Sequence, residues 1–259
     1  MRLSFSHSQD TPSDRAPTIV YSDNDVVVAC KPSGMPTQED PTQTLDLLSA
    51  TVSIMETEGV AMERPLKLVN RLDRPVGGLV LMTCSARAEK WFAAGNQEHH
   101  LVKNYDAIVC GQMAATSGEL TDYLLKNAKD NTSRVVAKDT PKAKRACLFY
   151  EVRSIFEGPD RQKYSWLKIR LLTGRHHQIR VQLAHAGCPI LGDTKYNAGG
   201  VKKEGWNYIA LFASQISFFP PKSIVQKFFE VDFQAAEPEA FAKLILQNKL
   251  QAESKEDGI

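Results

Sequence analysis

Asn70-Arg71-Leu72-Asp73-Arg74-Pro75-Val76-Gly77-Gly78-Leu79 places one carboxylate between two guanidinium groups at a turn. The apolar run Leu79-Val80-Leu81-Met82 that follows reads as a short buried strand. Opposite charge within a few Å favours the ionised form of an Asp, and such an anion serves as nucleophile or base near neutral pH. Taken alone, R-L-D-R is better read as a structural Asp–Arg pair on a β-turn. A second segment, Gly174-Arg175-His176-His177-Gln178-Ile179-Arg180, supplies further fixed positive charge later in the chain.

Working outward from Asp73, the pattern is one of many strands and few helices. Thr18 to Cys30 carries two short apolar runs around Asp23-Asn24-Asp25, which reads as strand, turn, strand. Thr44 to Glu58 suits an amphipathic helix with Leu45, Leu48, Val52 and Met55 on one face. Ser85 is placed to cap a helix bearing Ala88, Trp91 and Phe92. Lys103 to Val109 reads as a strand leading into Gly111, with later strands at Arg134–Ala137, Ala146–Val152, Tyr164–Leu172, Tyr208–Ser214 and Phe228–Phe233. Arg175 to His185 forms a helix with Ile179, Leu183 and Ala186 inward, and a last helix starts at Glu237-Pro238-Glu239 and runs to Leu250. Strands and helices do not alternate strictly. The expectation is therefore α+β: a mixed, largely antiparallel sheet with flanking helices, rather than a doubly wound fold.

Composition narrows the function classes. A 42% hydrophobic content is ordinary for a globular protein, and no stretch approaches the ~20 uninterrupted apolar residues of a transmembrane helix. The N-terminus lacks an apolar signal-peptide core, so a cytoplasmic location is the expectation. Five scattered cysteines without C-x-x-C spacing argue for reduced thiols rather than disulfides or a zinc site. The adjacent pairs His99-His100 and His176-His177 do not share a helix face as two ligands must, and no metal is expected. The formal charge of +2 is uneven: Arg134 to Arg180 holds twelve Lys or Arg against four Asp or Glu. Such a region suits phosphate backbone, although on charge alone it describes solvated strand faces equally well.

In order and spacing, these segments resemble the RluA-type pseudouridine synthases, which isomerise uridine in RNA. The Asp73 stretch is similar to the family's H-R-L-D-x-x-T-S-G-L block. Gly174 to Arg180, running on to Gly187-Cys188-Pro189-Ile190-Leu191-Gly192-Asp193, is similar to its G-R-x-H-Q-I-R…G-x-P-I-x-G-D block. Lys31-Pro32-Ser33-Gly34 and Lys103-Asn104-Tyr105-Asp106-Ala107 resemble the K-P-x-G and K-x-Y-x-A elements. The sequence departs at Asn70 (usually His), Val76-Gly77-Gly78 (T-S-G), His176 (commonly Thr) and Gln182 (commonly His).

The resemblance implies a curved sheet with a central cleft, and a catalytic domain over residues 17–250 between a polar lead-in (1–16) and a polar tail (251–259). No S4-like RNA-binding module is expected, because the family blocks begin near Val20. It also implies roles: Asp73 as the catalytic acid, Arg180 as its ion-pair partner, Tyr105 as the active-site tyrosine, and Arg71 as the side chain that fills the space left by an extruded base. Arg74 and Arg175 are candidate phosphate contacts. Leu183 is a candidate for the pocket wall, with plain helix core as the other reading. The substrate is structured ribosomal or transfer RNA, the enzyme is a monomer, and the isomerisation needs neither cofactor nor metal. Residue types leave open whether Asp73 attacks the anomeric carbon or removes the ribose 2′ proton. Two other functions remain in view: an RNA-binding factor without turnover, and a hydrolase, which here lacks a matched Ser-His or Cys-His arrangement. The G-x-x-x-x-G spacing of Gly187 to Gly192 is followed by Asp193 where a phosphate loop needs Lys, which excludes triphosphate chemistry there.

Overall fold

The computed structural model describes residues 16–94, 101–158, 161–197, 209–219 and 227–230. Among these residues eleven strands form one sheet. They are β1 (Thr18–Ser22), β2 (Val26–Lys31), β3 (Lys67–Leu68), β4 (Gly77–Thr83), β5 (Leu101–Cys110), β6 (Ser117–Asn127), β7 (Thr132–Val136), β8 (Lys144–Glu157), β9 (Lys163–Leu171), β10 (Leu211–Phe218) and β11 (Lys227–Glu230). Among the described residues three helices accompany them: α1 (Leu47–Thr57), α2 (Ala86–Ala93) and α3 (Gln178–His185). The order across the sheet is β1-β2-β4-β10-β5-β9-β8-β6-β7, with β3 added to β4 and β11 to β10. Among the described strands only β4 and β10 pair in parallel, so the sheet is mixed and largely antiparallel as expected. Register shifts in the β1–β2, β5–β10 and β8–β9 ladders mark bulges, which bend and twist strands locally.

Alternation along β2 and β4 shows why both strands are apolar throughout. Val27, Ala29, Val80 and Met82 join α1 residues Leu47 and Met55 in one buried cluster. Val26, Val28, Leu79 and Leu81 join α2 residues Ala88 and Phe92 in another. The two helices cover opposite faces, and strands buried on both sides read as continuous hydrophobic runs. The first cluster continues through Tyr105, Leu148, Leu167 and Ile169 to Ile179 and Leu183 of α3. Helices α1 and α3 therefore share a face, and each fully buried Leu or Ile there contributes on the order of 1.5–3 kcal/mol.

Several boundaries differ from the sequence reading. Helix α1 begins at Leu47 and not Thr44, because Asp46 is its cap and accepts from the Ser49 amide at 3.1 Å. Leu45 thus precedes the helix and stays exposed. Ala186 caps the end of α3 and is exposed, not inward. Strand β6 was not anticipated: its outward residues are polar, and of the whole strand only Leu124 is fully buried. The Ser85 cap is as expected, its hydroxyl accepting from the Ala88 amide. The last expected helix, 237–250, lies outside the described residues.

Candidate active site

The loop carrying Asp73 is clamped by the segment that follows β2. Lys31 is fully buried and donates to the carbonyls of Pro32 (3.0 Å), Met35 (2.7 Å) and Arg74 (3.2 Å). An ammonium has three protons, so three carbonyls satisfy it away from water. The Gly34 amide donates to the same Arg74 carbonyl, and the Thr37 hydroxyl donates to the Leu72 carbonyl (2.7 Å) while accepting from the Leu72 amide (3.2 Å). Residues 72 and 74 are thereby held on either side of Asp73.

Asn70 and the glycines, where the chain departs from the family pattern, have structural partners. Strand β3 covers β4 at Met82 and Thr83, and β10 covers it at Gly77 and Gly78, leaving a gap between. Asn70 fills it: its Oδ1 accepts from the Leu81 amide (2.8 Å) and its Nδ2 donates to the Leu79 carbonyl (3.4 Å). The side-chain amide stands in for a missing peptide group. Gly78, at φ +117°, lies against the Ala213 backbone, where any Cβ would collide with its carbonyl.

Asp73 faces α3 directly. Arg180 is only 4% exposed and donates from Nη1 to Asp73 Oδ2 at 3.1 Å. Its other edge makes a two-pronged pair with Asp193, Nε to Oδ2 and Nη2 to Oδ1, both at 2.7 Å. Burial opposes the charge on Arg180, but the Asp193 hydrogen bonds and charge, joined by those of Asp73, outweigh it and raise its pKa. Asp193 Oδ1 also accepts from the amides of Lys195 and Tyr196. Segment 189–191 is laid against the end of β5 (Cys110 amide to Pro189 carbonyl, Leu191 amide to Ile108 carbonyl), and this fixes Asp193. Helix α3 starts without a side-chain cap. Buried glutamines anchor it instead: Gln178 donates to the Cys147 carbonyl, and Gln182 to the Leu120 carbonyl and Asp122. Gln182, a family departure, is thus a tie between α3 and the sheet.

His176 and His177 stack with ring centroids 3.8 Å apart, because His177 takes a left-handed backbone conformation at φ 53°. Neither pairs with the other as a ligand set. His176 contacts the Ser133 hydroxyl (2.9 Å) and Asn131 Oδ1 (3.0 Å). His177 Nδ1 meets the Tyr196 hydroxyl at 2.7 Å, and its Nε2 lies 3.6 Å from Asp73 Oδ2. Burial pushes the His177 pKa down to about 4, opposed by the charge on Asp73 and assisted by Arg180, so the ring is neutral at pH 7.

Tyr105 sits on β5 facing this cluster, 5% exposed, and burial followed by the Asp73 charge raises its pKa, keeping the phenol protonated. Among the described residues its hydroxyl has no hydrogen-bond partner. Arg71 is exposed, with Gln38 Oε1 at 3.5 Å. Arg74 braces the preceding loop through the Gly34 carbonyl (3.0 Å) and Thr42 (2.9 Å), with Asp40 at 3.5 Å. Arg175 donates to the Arg145 carbonyl at 2.9 Å and is otherwise exposed. Leu183 is fully buried in the main core cluster, together with Tyr105 and Ile179. Sequence reasoning missed Asp193, His177, Tyr196 and Ser133. Asp193 and His177 stood in the quoted blocks, but only the fold brings Ser133 of β7 and Tyr196 beside them.

Relatives of known name share this chain's sequence over most of its length. The tRNA pseudouridine synthase C of Haemophilus ducreyi is 30% identical over 218 residues, covering 80% of this chain and 86% of the relative. The ribosomal large subunit pseudouridine synthase D of Yersinia pestis is 29% identical over 266 residues, 96% of this chain and 74% of the relative. Among solved structures, human RNA pseudouridylate synthase domain containing 1 superposes with a TM-score of 0.69 at 17% identity, covering 87% of this chain and 86% of that one, a likeness of fold. The family model described as RNA pseudouridylate synthase matches residues 25–185, a span that holds Asp73, Tyr105 and Arg180, and the chain belongs to that family as an RNA pseudouridine synthase.

Proposed function

We propose that Asp73 is the reacting acid, working through Oδ1 on the ribose of a uridine turned out of its RNA stack. The observation that carries this is the asymmetry of the carboxylate: Arg180 holds Oδ2 at 3.1 Å, while Oδ1 has no partner among the described residues. Arg180 in turn is fixed by Asp193, so the anion is oriented by a rigid, buried fork rather than a mobile surface chain. Tyr105 lies under the base, its phenol protonated and within reach of a proton in flight. Arg71, exposed and loosely held, enters the stack vacated by the uridine, and Arg175 contacts phosphate. Arg74 serves the loop, and Leu183 the core beneath the site.

The chemistry is self-contained. The N-glycosidic bond breaks, uracil rotates, and a carbon–carbon bond forms to the same sugar, with no net oxidation or hydrolysis. Asp73 and its neighbours supply the groups this needs without metal or cofactor. The substrate is structured ribosomal or transfer RNA, the two classes for which the relatives are named. The protein acts as a cytoplasmic monomer through a catalytic domain spanning 17–250.

Conversion of uridine to pseudouridine in bulk ribosomal and transfer RNA, separated by nucleoside chromatography, tests the reading. Wild type is expected to convert and Asp73→Ala to bind RNA without converting it. Equal conversion by both proteins refutes the role of Asp73. RNA binding without pseudouridine from either would make this a binding factor, and release of free uracil a hydrolase.

A further inference from the structure

Asp73 has a second neighbour besides Arg180 that the proposed chemistry does not use. His177 Nε2 lies 3.6 Å from Asp73 Oδ2, the oxygen Arg180 already holds. What that nitrogen offers depends on where the ring proton sits, and the surrounding hydrogen bonds decide it. The Ser133 amide donates to the Tyr196 hydroxyl oxygen at 2.8 Å. The Tyr196 proton then goes to His177 Nδ1, 2.7 Å away. With Nδ1 accepting, the neutral ring carries its proton on Nε2, facing the carboxylate. The opposite tautomer leaves the Tyr196 proton without an acceptor among the described residues. It also sets the Nε2 lone pair against an anion.

We propose that His177 is a positioning residue for Asp73: locked in one tautomer by Ser133 and Tyr196, it presents a neutral N–H to Oδ2 and so leaves Oδ1 as the oxygen that meets the nucleoside. This rests on the reading of Asp73 as the reacting acid. At 3.6 Å the contact is longer than a hydrogen bond. Catalytic contacts of this kind shorten when substrate closes the site. A neutral donor suits the task, since it orients the carboxylate without adding a second full positive charge that would quench its reactivity. Tyr196 serves both partners of Asp73, for the Arg180 guanidinium carbon also lies 5.2 Å from the centre of its ring. Ser133 ties the stacked pair together, binding Tyr196 through its amide and His176 through its hydroxyl. The β6–β7 hairpin thereby reaches His177, the neighbour of Asp73, through a chain of hydrogen bonds.

Three variants separate this role from a structural one. His177→Gln places an N–H donor near the old Nε2, whereas His177→Asn places one near Nδ1. Tyr196→Phe keeps the ring beside Arg180 and removes the hydroxyl that links the Ser133 amide to His177 Nδ1 and sets the tautomer. At φ 53°, backbone preference favours Asn over Gln, so stability and positioning predict opposite orders. In single-turnover assays at saturating RNA, Gln is expected to stay within about tenfold of wild type, with Asn and Tyr196→Phe falling about 100-fold. RNA affinity is expected to hold within about threefold in all three, and thermal melting reports which variants are folded. Equal rates for Gln and Asn, a better rate for Asn, no loss in any variant, or a loss confined to RNA affinity overturns the proposal. Asp73→Asn is run alongside. Activity there sinks the reading of Asp73 itself, while an inactive Asp73→Asn with the wrong Gln–Asn order sinks only the role of His177.

Discussion

Two acids lie on opposite faces of β5, one half-buried and one buried, and they differ in how fully their oxygens are engaged. Tyr105 and Asp106 are neighbours on β5 and point to opposite faces. On the Tyr105 face, Asp73 keeps a side chain 28% exposed and, among the described residues, has contacts on Oδ2 alone. On the other face, Asp106 is 6% exposed and both its oxygens are engaged. Trp166 Nε1 donates to Oδ1 at 2.8 Å, and Lys168 at 3.0 Å and the Ser214 hydroxyl donate to Oδ2. Each acid has a cation beside it. Among the described residues only Asp73, the proposed reacting acid, keeps an oxygen without a partner. Pairing with a positive charge is therefore a poor sign of function, and incomplete satisfaction within a rigid setting is a better one.

The sharpest way to break this comparison is to neutralise both acids without changing their shape. Asp73→Asn is expected to cut the single-turnover rate by at least about 10⁴-fold with thermal melting little changed. Asp106→Asn is expected to leave the rate within about tenfold while lowering stability by about 1.5–3 kcal/mol, the range for hydrogen bonds to charged groups. Loss of turnover in a stable, RNA-binding Asp106→Asn protein would erase the distinction.

Arg180→Met comes next. It strands Asp193, whose side chain is fully buried, and breaking such a pair costs about 3–5 kcal/mol. Urea unfolding should show that loss, and Asp193→Asn in the same chain should recover part of it. If Arg180→Met unfolds like wild type, the fork is not what holds the site together. Asn70→Ala tests the loop side: it leaves the Leu81 amide unpaired, an expected cost of about 1–3 kcal/mol, read as a shift in the urea midpoint without a change in slope.

The smallest effect concerns pH. His177 has a folded pKa of about 4, below its ordinary 6.5, so the unfolded chain takes up this proton first as pH falls. Its contribution is fully present above pH 6.5 and is lost as pH drops from there toward 4. The urea midpoint of wild type should fall more steeply over that window than that of His177→Gln, and equal slopes would mean the ring is accessible to protons in the folded state.

Strands β2 and β4 were legible because burial on both faces writes itself as an uninterrupted apolar run. Strand β6 was not, since a strand with one buried residue has no pattern to read. The α1 boundary moved for a local reason, the Asp46 cap, that the apolar spacing alone did not weigh. Within the site, Asp73, Tyr105 and Arg180 were named from their motifs. Asp193 was read as the end of a family block and as a departure from a phosphate loop, without a role, and its place is behind Arg180.

By itself, the order of residues determined the family and the mixed sheet and singled out Asp73 as the candidate acid, because motif spacing and hydrophobic period are local properties of a chain. Tertiary structure alone decided which oxygen of Asp73 is left free, that Asn70 completes a strand edge, and that Ser133 and Tyr196 reach His177. Those outcomes depend on hydrogen bonds between segments far apart in the chain, and their directions exist only once the sheet has brought the partners within about 3 Å of one another.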